Sequence, residues 1–178
     1  MLTSNQNLER TMLKMLLYKI NKSSEKNYNG NMLEIQVKRF IELDIEDLYN
    51  ILQLRSEVFI VEQDCVYQDI DGKDQKALHV LGYKNDRLVA YTRLFKPGDY
   101  FKESSIGRVV VAKNEREHKY GYNIMNASIE AIAHHFKETT IKISAQCYLK
   151  NFYSNLGFKV IGVEYLEDDI PHIAMLKS

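Results

Sequence analysis

The sequence predicts an α/β (α+β) domain built on a central mixed sheet flanked by helices. Three observations point to it. Leu33–Phe40 alternates Leu33, Ile35 and Val37 with Glu34, Gln36 and Lys38, the period of a half-buried strand. Met125, Ile129, Ile132 and Phe136 recur at helical spacing and form one apolar stripe. From residue 33 the segments run β, α, two or three β, α, β, α, β, β, an order that suits a sheet covered by helices.

After the first strand, Asp44 is a strong N-cap, and Glu46 and Asp47 put negative charge where the helix dipole favours it. Leu48, Ile51, Leu52, Arg55, Val58 and Phe59 continue at helical spacing. Residues 62–76 are acidic and loop-like. Ala77–Tyr83 and Leu88–Phe95 flank Asn85-Asp86, the signature of a hairpin, and Pro97-Gly98 marks a turn. Ser105–Ala112 contains Val109, Val110 and Val111, a buried strand run, and the polar stretch Lys113–Lys119 follows. A helix begins after Gly121. Thr140–Ala145 reads as a short strand and Leu149–Leu156 as a short helix, with Gly157 as its left-handed C-cap residue. Phe158–Val163 and Ile170–Leu176 close the domain as two strands, and no internal repeat is visible.

Composition narrows the function classes. The chain has 178 residues, enough for one domain with a real core. Its 24 Lys+Arg balance 24 Asp+Glu, without the positive excess of a nucleic-acid binder. No apolar run is long enough to cross a membrane. Cys65 and Cys147 lie far apart and in no metal-ligand spacing, which points to a reducing, cytoplasmic compartment and to no metal site. Neutrality is a cancellation. Residues 1–31 hold five basic residues against Glu9 and Glu25, a surplus of +3, and the other 147 residues carry the compensating −3. Asn21–Asn31, rich in Asn, Ser, Lys and Gly, reads as a linker, so the chain divides into an N-terminal helical extension with linker, 1–31, and a domain, 32–178. In the extension, Leu8, Met12, Met15 and Leu16 fall at helical spacing and suit packing or partner contact. Its polar face is only weakly basic, which disfavours a membrane surface. Lys14 and Lys19 interrupt the apolar stretch and no cleavage pattern follows, which disfavours a signal peptide.

The most informative junction is strand, polar loop, helix at residues 106–136. A helix N-terminus offers unpaired N–H groups and partial positive charge, so it binds phosphate. Arg116 and Lys119 add full charge, and Gly121 permits close approach of a ligand. On local physics alone the same stretch reads equally well as a solvated turn. It is neither a P-loop nor a dinucleotide fingerprint, since it holds a single glycine. Glu62, Asp64, Asp69, Asp71 and Asp74 crowd one acidic stretch, which either attracts a cationic amine by its field or is a solvated loop. Asp69-x-Asp71 lacks the glycine offset and closing Glu of a calcium loop. Arg55, on a helix of apolar neighbours, is expected to pair with an acid of that stretch.

Arg116-x-x-Lys119-x-Gly121, then a helix, a strand and Tyr153-x-x-x-Gly157-Phe158, resembles the GNAT superfamily of N-acetyltransferases. Leu54–Gln63, Tyr67–Gly72 and Ile170–Ile173 resemble its ElaA-like subgroup, and the similarity covers about residues 33–177. The family's loop usually has glycine where this chain has Lys119, and often Asn where it has Gln146.

The resemblance implies a mostly antiparallel sheet with one splayed parallel strand pair. Acetyl-CoA would bind between the strands at 105–112 and 140–146, with no metal. Its pantetheine amides would extend the Val109–Val110–Val111 strand, and its pyrophosphate would meet the N–H groups of Arg116, Glu117, His118, Lys119, Tyr120, Gly121 and Tyr122. Gln146 and Asn151 would also contact it. An amine of a small molecule or protein would attack directly, with the developing oxyanion held by a backbone N–H of the Val109–Val111 strand.

Tyr153 would be the general acid, since a phenol of pKa about 10 can protonate a departing thiolate. The base is open between Glu62, His79 and His172. Glu62, His79, His172 and Arg55 are the acceptor-side candidates. His79 sits in an apolar strand and reads equally as a structural histidine. Two other classes stay in view: a non-catalytic acyl-CoA-binding module, and a Cys65-dependent thiol acyltransferase using His79. A homodimer is compatible with the sequence.

Overall fold

The computed structural model describes residues 32–178. The expected extension and linker at 1–31 lie outside the described residues. Leu33–Ser178 pack as one unit.

Strand β1 (Glu34–Arg39) pairs antiparallel with β2 (Leu78–Lys84), from Glu34 opposite Tyr83 to Arg39 opposite Leu78. Between them lies α1 (Ile45–Arg55). The Asp44 side chain accepts from the Asp47 N–H at 2.7 Å, and Asp47 accepts from the Asp44 N–H at 3.3 Å, a reciprocal cap. The helix then widens into a π-helical stretch, Ser56–Glu62, where Gln63 and Cys65 donate five residues back to Val58 and Ile60. The helical spacing predicts the continuation but not the change of pitch.

β2 turns into β3 (Arg87–Phe95) through Asn85-Asp86, both at positive φ, the turn whose twist matches a hairpin. β3 is central and almost wholly buried. Its Thr92 hydroxyl lies 2.6 Å from that of Ser128 on α2 (Tyr120–Phe136), while the next residue, Arg93, meets the groups packed around α1. The two helices therefore cover opposite faces of the sheet. The buried stripe of α2 centres on Ile124, Met125, Ser128, Ala131 and Ile132, and the expected Ile129 and Phe136 flank it half-buried.

β4 (Ser104–Val111) runs antiparallel to β3, and β5 (Ile141–Gln146) runs parallel to β4. α3 (Lys150–Asn155) ends at Gly157, φ +88°, where the Gly157 and Phe158 N–H groups close on Ser154 and Tyr153. β6 is only Lys159–Val160, shorter than the expected Phe158–Val163. β7 (Tyr165–Glu167), not expected, forms a hairpin with β8 (Ile170–Lys177) through Asp168-Asp169, again both at positive φ. The order in the sheet is β1-β2-β3-β4-β5-β8-β6, with β7 also on β8. The sheet is mixed and mostly antiparallel, and β4–β5 is its parallel pair. Among the described residues no helix is long and apolar enough to cross a membrane.

Candidate active site

β4 and β5 are paired only where they begin, Ser104 with Ile141 and Ser105 with Lys142. Beyond that they diverge. A bulge in β4 starts the divergence: Gly107 faces Arg93 and Val110 faces Tyr91, so Arg108 and Val109 together oppose Thr92. Arg108 adopts φ +50°, which increases the local twist. The gap becomes a cleft of about 490 Å³. The Ala112 N–H bonds to Val89 at 2.8 Å, so ladder alternation turns Val110 toward β3 and leaves Val109 and Val111 facing the gap. The Val111 carbonyl accepts from Arg116 Nε there, at 3.2 Å.

At the open end the cleft is lined by Arg116, Lys119, Gly121 and Tyr122 before and within α2, and by Phe152 and Tyr153 of α3. Lys113–His118 closes into a 3-10 helix, which commits amides to its own short-range bonds, and the Tyr122 N–H bonds to the Lys119 carbonyl at 3.0 Å. The anion-facing backbone thereby narrows to the start of α2, around Gly121. Lys119 stands at φ +61°, ψ +19°. This left-handed conformation costs a side-chain-bearing residue about 1 kcal/mol or more and a glycine far less. Tyr153 is 5% exposed, its ring edge-on to Phe152 and Phe158, and burial pushes its phenol well above the ordinary value. It stays protonated and can donate.

Residues 62–65, from the last residue of the π-helical stretch onward, border the cleft. Glu62 takes a two-pronged ion pair from Arg116 at 2.6 and 2.9 Å, Gln63 accepts from Gln146 at 3.2 Å, and the Cys65 thiol donates to the Asp168 carbonyl at 3.5 Å. Hydrogen bonding from Arg116 holds the Glu62 carboxyl below the usual carboxylate range. The His172 Nδ1 lies 2.8 Å from the Ile170 carbonyl, which can only accept, so Nδ1 carries hydrogen and, in the neutral ring, Nε2 carries the lone pair.

The acidic stretch is closed on itself. Arg55 donates to Asp69 at 2.8 Å and to Asp74 at 2.9 Å. Arg93 donates to Asp71 at 2.7 Å and to Asp74 at 2.9 Å, and Arg108 donates to Asp69 at 2.6 Å. Three guanidinium groups match three carboxylates in a largely buried cluster. His79 Nε2 donates to the Asp74 carbonyl at 3.0 Å and its Nδ1 accepts from Tyr91 at 2.7 Å. Burial lowers the His79 pKa, so the ring is neutral.

The sequence profile described as "Acetyltransferase (GNAT) domain" matches residues 41–178. The chain belongs to the GNAT acetyltransferase family. Within it the chain is ElaA-like. Protein ElaA of Escherichia coli is 44% identical over 149 residues, 83% of this chain and 97% of that protein. The crystal structure of E. coli ElaA superposes with a TM-score of 0.77 at 43% identity, over 83% of this chain and all of that one. An acyl-CoA N-acyltransferase from Pseudomonas aeruginosa gives a TM-score of 0.77 at 37% identity, with the same coverage of both chains.

Of the residues that the GNAT resemblance singles out, the cleft gathers Val109, Val110, Val111, Arg116, Lys119, Gly121, Tyr122, Gln146, Tyr153, Glu62 and His172. Others stand apart from it. Arg55 is fully buried and both its prongs are taken by Asp69 and Asp74, so it meets no substrate. His79 is 1% exposed with both ring nitrogens engaged, so it serves neither as a base nor as a partner for Cys65. Tyr120 belongs to the core, the His118 ring packs on Tyr120, and Glu117 and Asn151 are exposed outside the cleft. Glu62 reaches the cleft, but Arg116 occupies both its oxygens and makes it a weak base. Within the acidic stretch Asp69, Asp71 and Asp74 offer no open field for an amine, because Arg55, Arg93 and Arg108 neutralise them.

Sequence reasoning missed the closed end of the cleft, lined by Phe95, Tyr100, Phe101, Ser105, Ser144 and Glu167. The signal for β7 was present: Tyr165 and Glu167 alternate around Leu166 and precede an Asp-Asp pair suited to a tight turn.

Proposed function

We propose that the chain is an acetyl-CoA-dependent N-acetyltransferase that moves acetyl directly to a primary amine of a small molecule or protein. The observation that carries this reading is the β4–β5 splay. It leaves the backbone of Val109 and Val111 facing a gap beside Tyr153, where an amide-bearing arm can add like a strand. The residues fit the cosubstrate at both ends. Lys119 and the amides at the start of α2 suit a pyrophosphate, and the strand amides suit pantetheine and a carbonyl that becomes an oxyanion.

His172 is the favoured proton acceptor, through its Nε2 lone pair. The amine nitrogen, having lost a proton to His172, bonds to the thioester carbon. The carbon–sulfur bond breaks and its electron pair leaves on sulfur. Tyr153 gives that sulfur a proton, and the second nitrogen proton passes to solvent. Val109 and Val111 hold the geometry, which accounts for much of the rate in a direct transfer.

The test incubates the protein with acetyl-CoA and a panel of polyamines, aminoglycosides, arylalkylamines, amino acids and lysine peptides, and measures free CoA thiol. Turnover with at least one amine is expected. Tyr153→Phe should lower kcat at least tenfold with little change in the KM for acetyl-CoA. Tight CoA binding with no transfer to any amine would replace this reading with that of a non-catalytic module.

A further inference from the structure

Glu167 is the carboxylate at the closed end of the cleft that the Arg–Asp cluster does not use. It is half-buried, and Ser144 Oγ lies 2.6 Å from its Oε2 and 2.6 Å from the Tyr165 hydroxyl. A carboxylate only accepts, so Ser144 spends its one hydrogen on Glu167, and Tyr165 donates to Ser144. This one-way chain fixes the carboxylate as an acceptor and leaves Oε1 to the cleft. Tyr165 in turn stacks on His172, ring centroids 6.3 Å apart, so the chain sits beside the favoured base. Opposite stands an aromatic wall. Phe95 stacks on Tyr100 at 5.4 Å, and Tyr100 meets Phe101 edge-on at 4.7 Å. Burial and, next, the charge of Glu167 raise the Tyr100 phenol, and both residues line the cleft. Ser105 also lines this end with its hydroxyl buried and unpaired in the described structure.

We infer that Glu167, oriented by Ser144 and Tyr165, is the acceptor-binding residue. It anchors the ammonium of a primary amine whose apolar or aromatic body packs on Phe95, Tyr100 and Phe101. The inference rests on the acetyl-transfer reading and adds a substrate class to it. The cationic side chains that line this end of the cleft, Arg93 and Arg108, are matched by Asp69, Asp71 and Asp74. Lys73 and Lys142 lie over the rings of Tyr100 and Phe101, 4.9 and 4.7 Å from their centroids, but neither lines the cleft. A carboxylate on the acceptor would find no unmatched cation in the lining of this end and would press against Glu167 and Asp168, so an arylalkylamine fits and the corresponding amino acid does not. After one proton has gone to His172, the neutral amine still has two N–H bonds. One stays on Glu167 and aims the lone pair.

The experiment uses the full chain, acetyl-CoA, and the matched pair 2-phenylethylamine and phenylalanine. The wild-type protein should show kcat/KM at least tenfold higher for 2-phenylethylamine. Glu167→Gln, the same shape without charge, should raise the KM for that amine at least tenfold, with the KM for acetyl-CoA within twofold. Ser144→Ala should shift the amine KM the same way, less strongly. Equal use of phenylalanine by the wild type overturns the inference without needing any variant, and so does an unchanged amine KM in Glu167→Gln. Turnover only with polyamines or lysine peptides overturns this substrate class and leaves acetyl transfer standing. Acetyl-CoA bound by calorimetry with no turnover across the whole amine panel overturns both.

Discussion

Replacing Asp74 with asparagine tests the buried charge cluster directly. One carboxylate oxygen accepts from Arg55 and from Arg93, both at 2.9 Å, and the side chains of the two arginines are 0% and 2% exposed. Asparagine keeps the shape and one acceptor, but leaves three guanidinium groups against two carboxylates. At an effective dielectric of about 20, a lost unit charge about 4 Å away is worth about 4 kcal/mol for each arginine. The amide dipole and the desolvation no longer spent on a carboxylate offset part of this. Removing one partner of a buried pair accordingly costs about 3–5 kcal/mol. For a domain of this size that is a fall in melting temperature of about 6–20 °C. Urea titration and thermal scans near neutral pH read both numbers, with Glu62→Gln as the exposed comparison. The Glu62–Arg116 pair is partly solvated, so its loss should cost at most about 1 kcal/mol. An Asp74→Asn midpoint within about 1 kcal/mol of wild type would refute the argument that the cluster is held by mutual neutralisation.

Lys119→Gly should act with opposite signs on two measurements. It relieves the left-handed backbone and stabilises the fold by up to about 1 kcal/mol, while CoA affinity by calorimetry weakens severalfold through the lost charge. Glu62→Gln should release Arg116 and lower the KM for acetyl-CoA, measured at low ionic strength, where the freed guanidinium is least screened. Stability should fall in two stages as pH drops. Burial depresses the His79 pKa, so its contribution is present above about pH 6.5 and is lost below it as the unfolded chain takes up the proton first. Burial raises the Asp71 carboxyl, but Arg93 outweighs it and holds the value low. Its contribution is present above about pH 4 and is lost as pH falls toward the depressed value. Chemical denaturation across pH shows both stages, and His79→Gln removes the upper one alone.

Much of the fold was legible because its signals are local. Alternation gives β1, the Asp44 cap starts α1, and two polar residues in one turn set the β2–β3 hairpin. Residues of the cleft lining were legible where they ride on such signals: the run at Val109–Val111, the loop before α2, and Tyr153. Arg55 and the acidic stretch were read as partners, and they are. That Arg93 and Arg108 complete the neutralisation was not legible, since Arg93 comes from β3 and Arg108 from a bulge whose extra residue has no sequence period. His79 and Glu62 were weighed as bases because a residue type does not reveal its partners. Tyr91 and Asp74 engage the one, and Arg116 the other.

The sequence by itself determined most of the strands and helices, the polar strand-to-helix junction before α2, and the family, because periodicity, capping residues and short motifs act within a few residues of one another. The tertiary structure alone decided which charges face the cleft. An ion pair depends on distance and burial, and those are fixed only when β3, β4, the acidic stretch and the β7–β8 hairpin meet. That meeting takes three carboxylates out of play and leaves Glu167 in it.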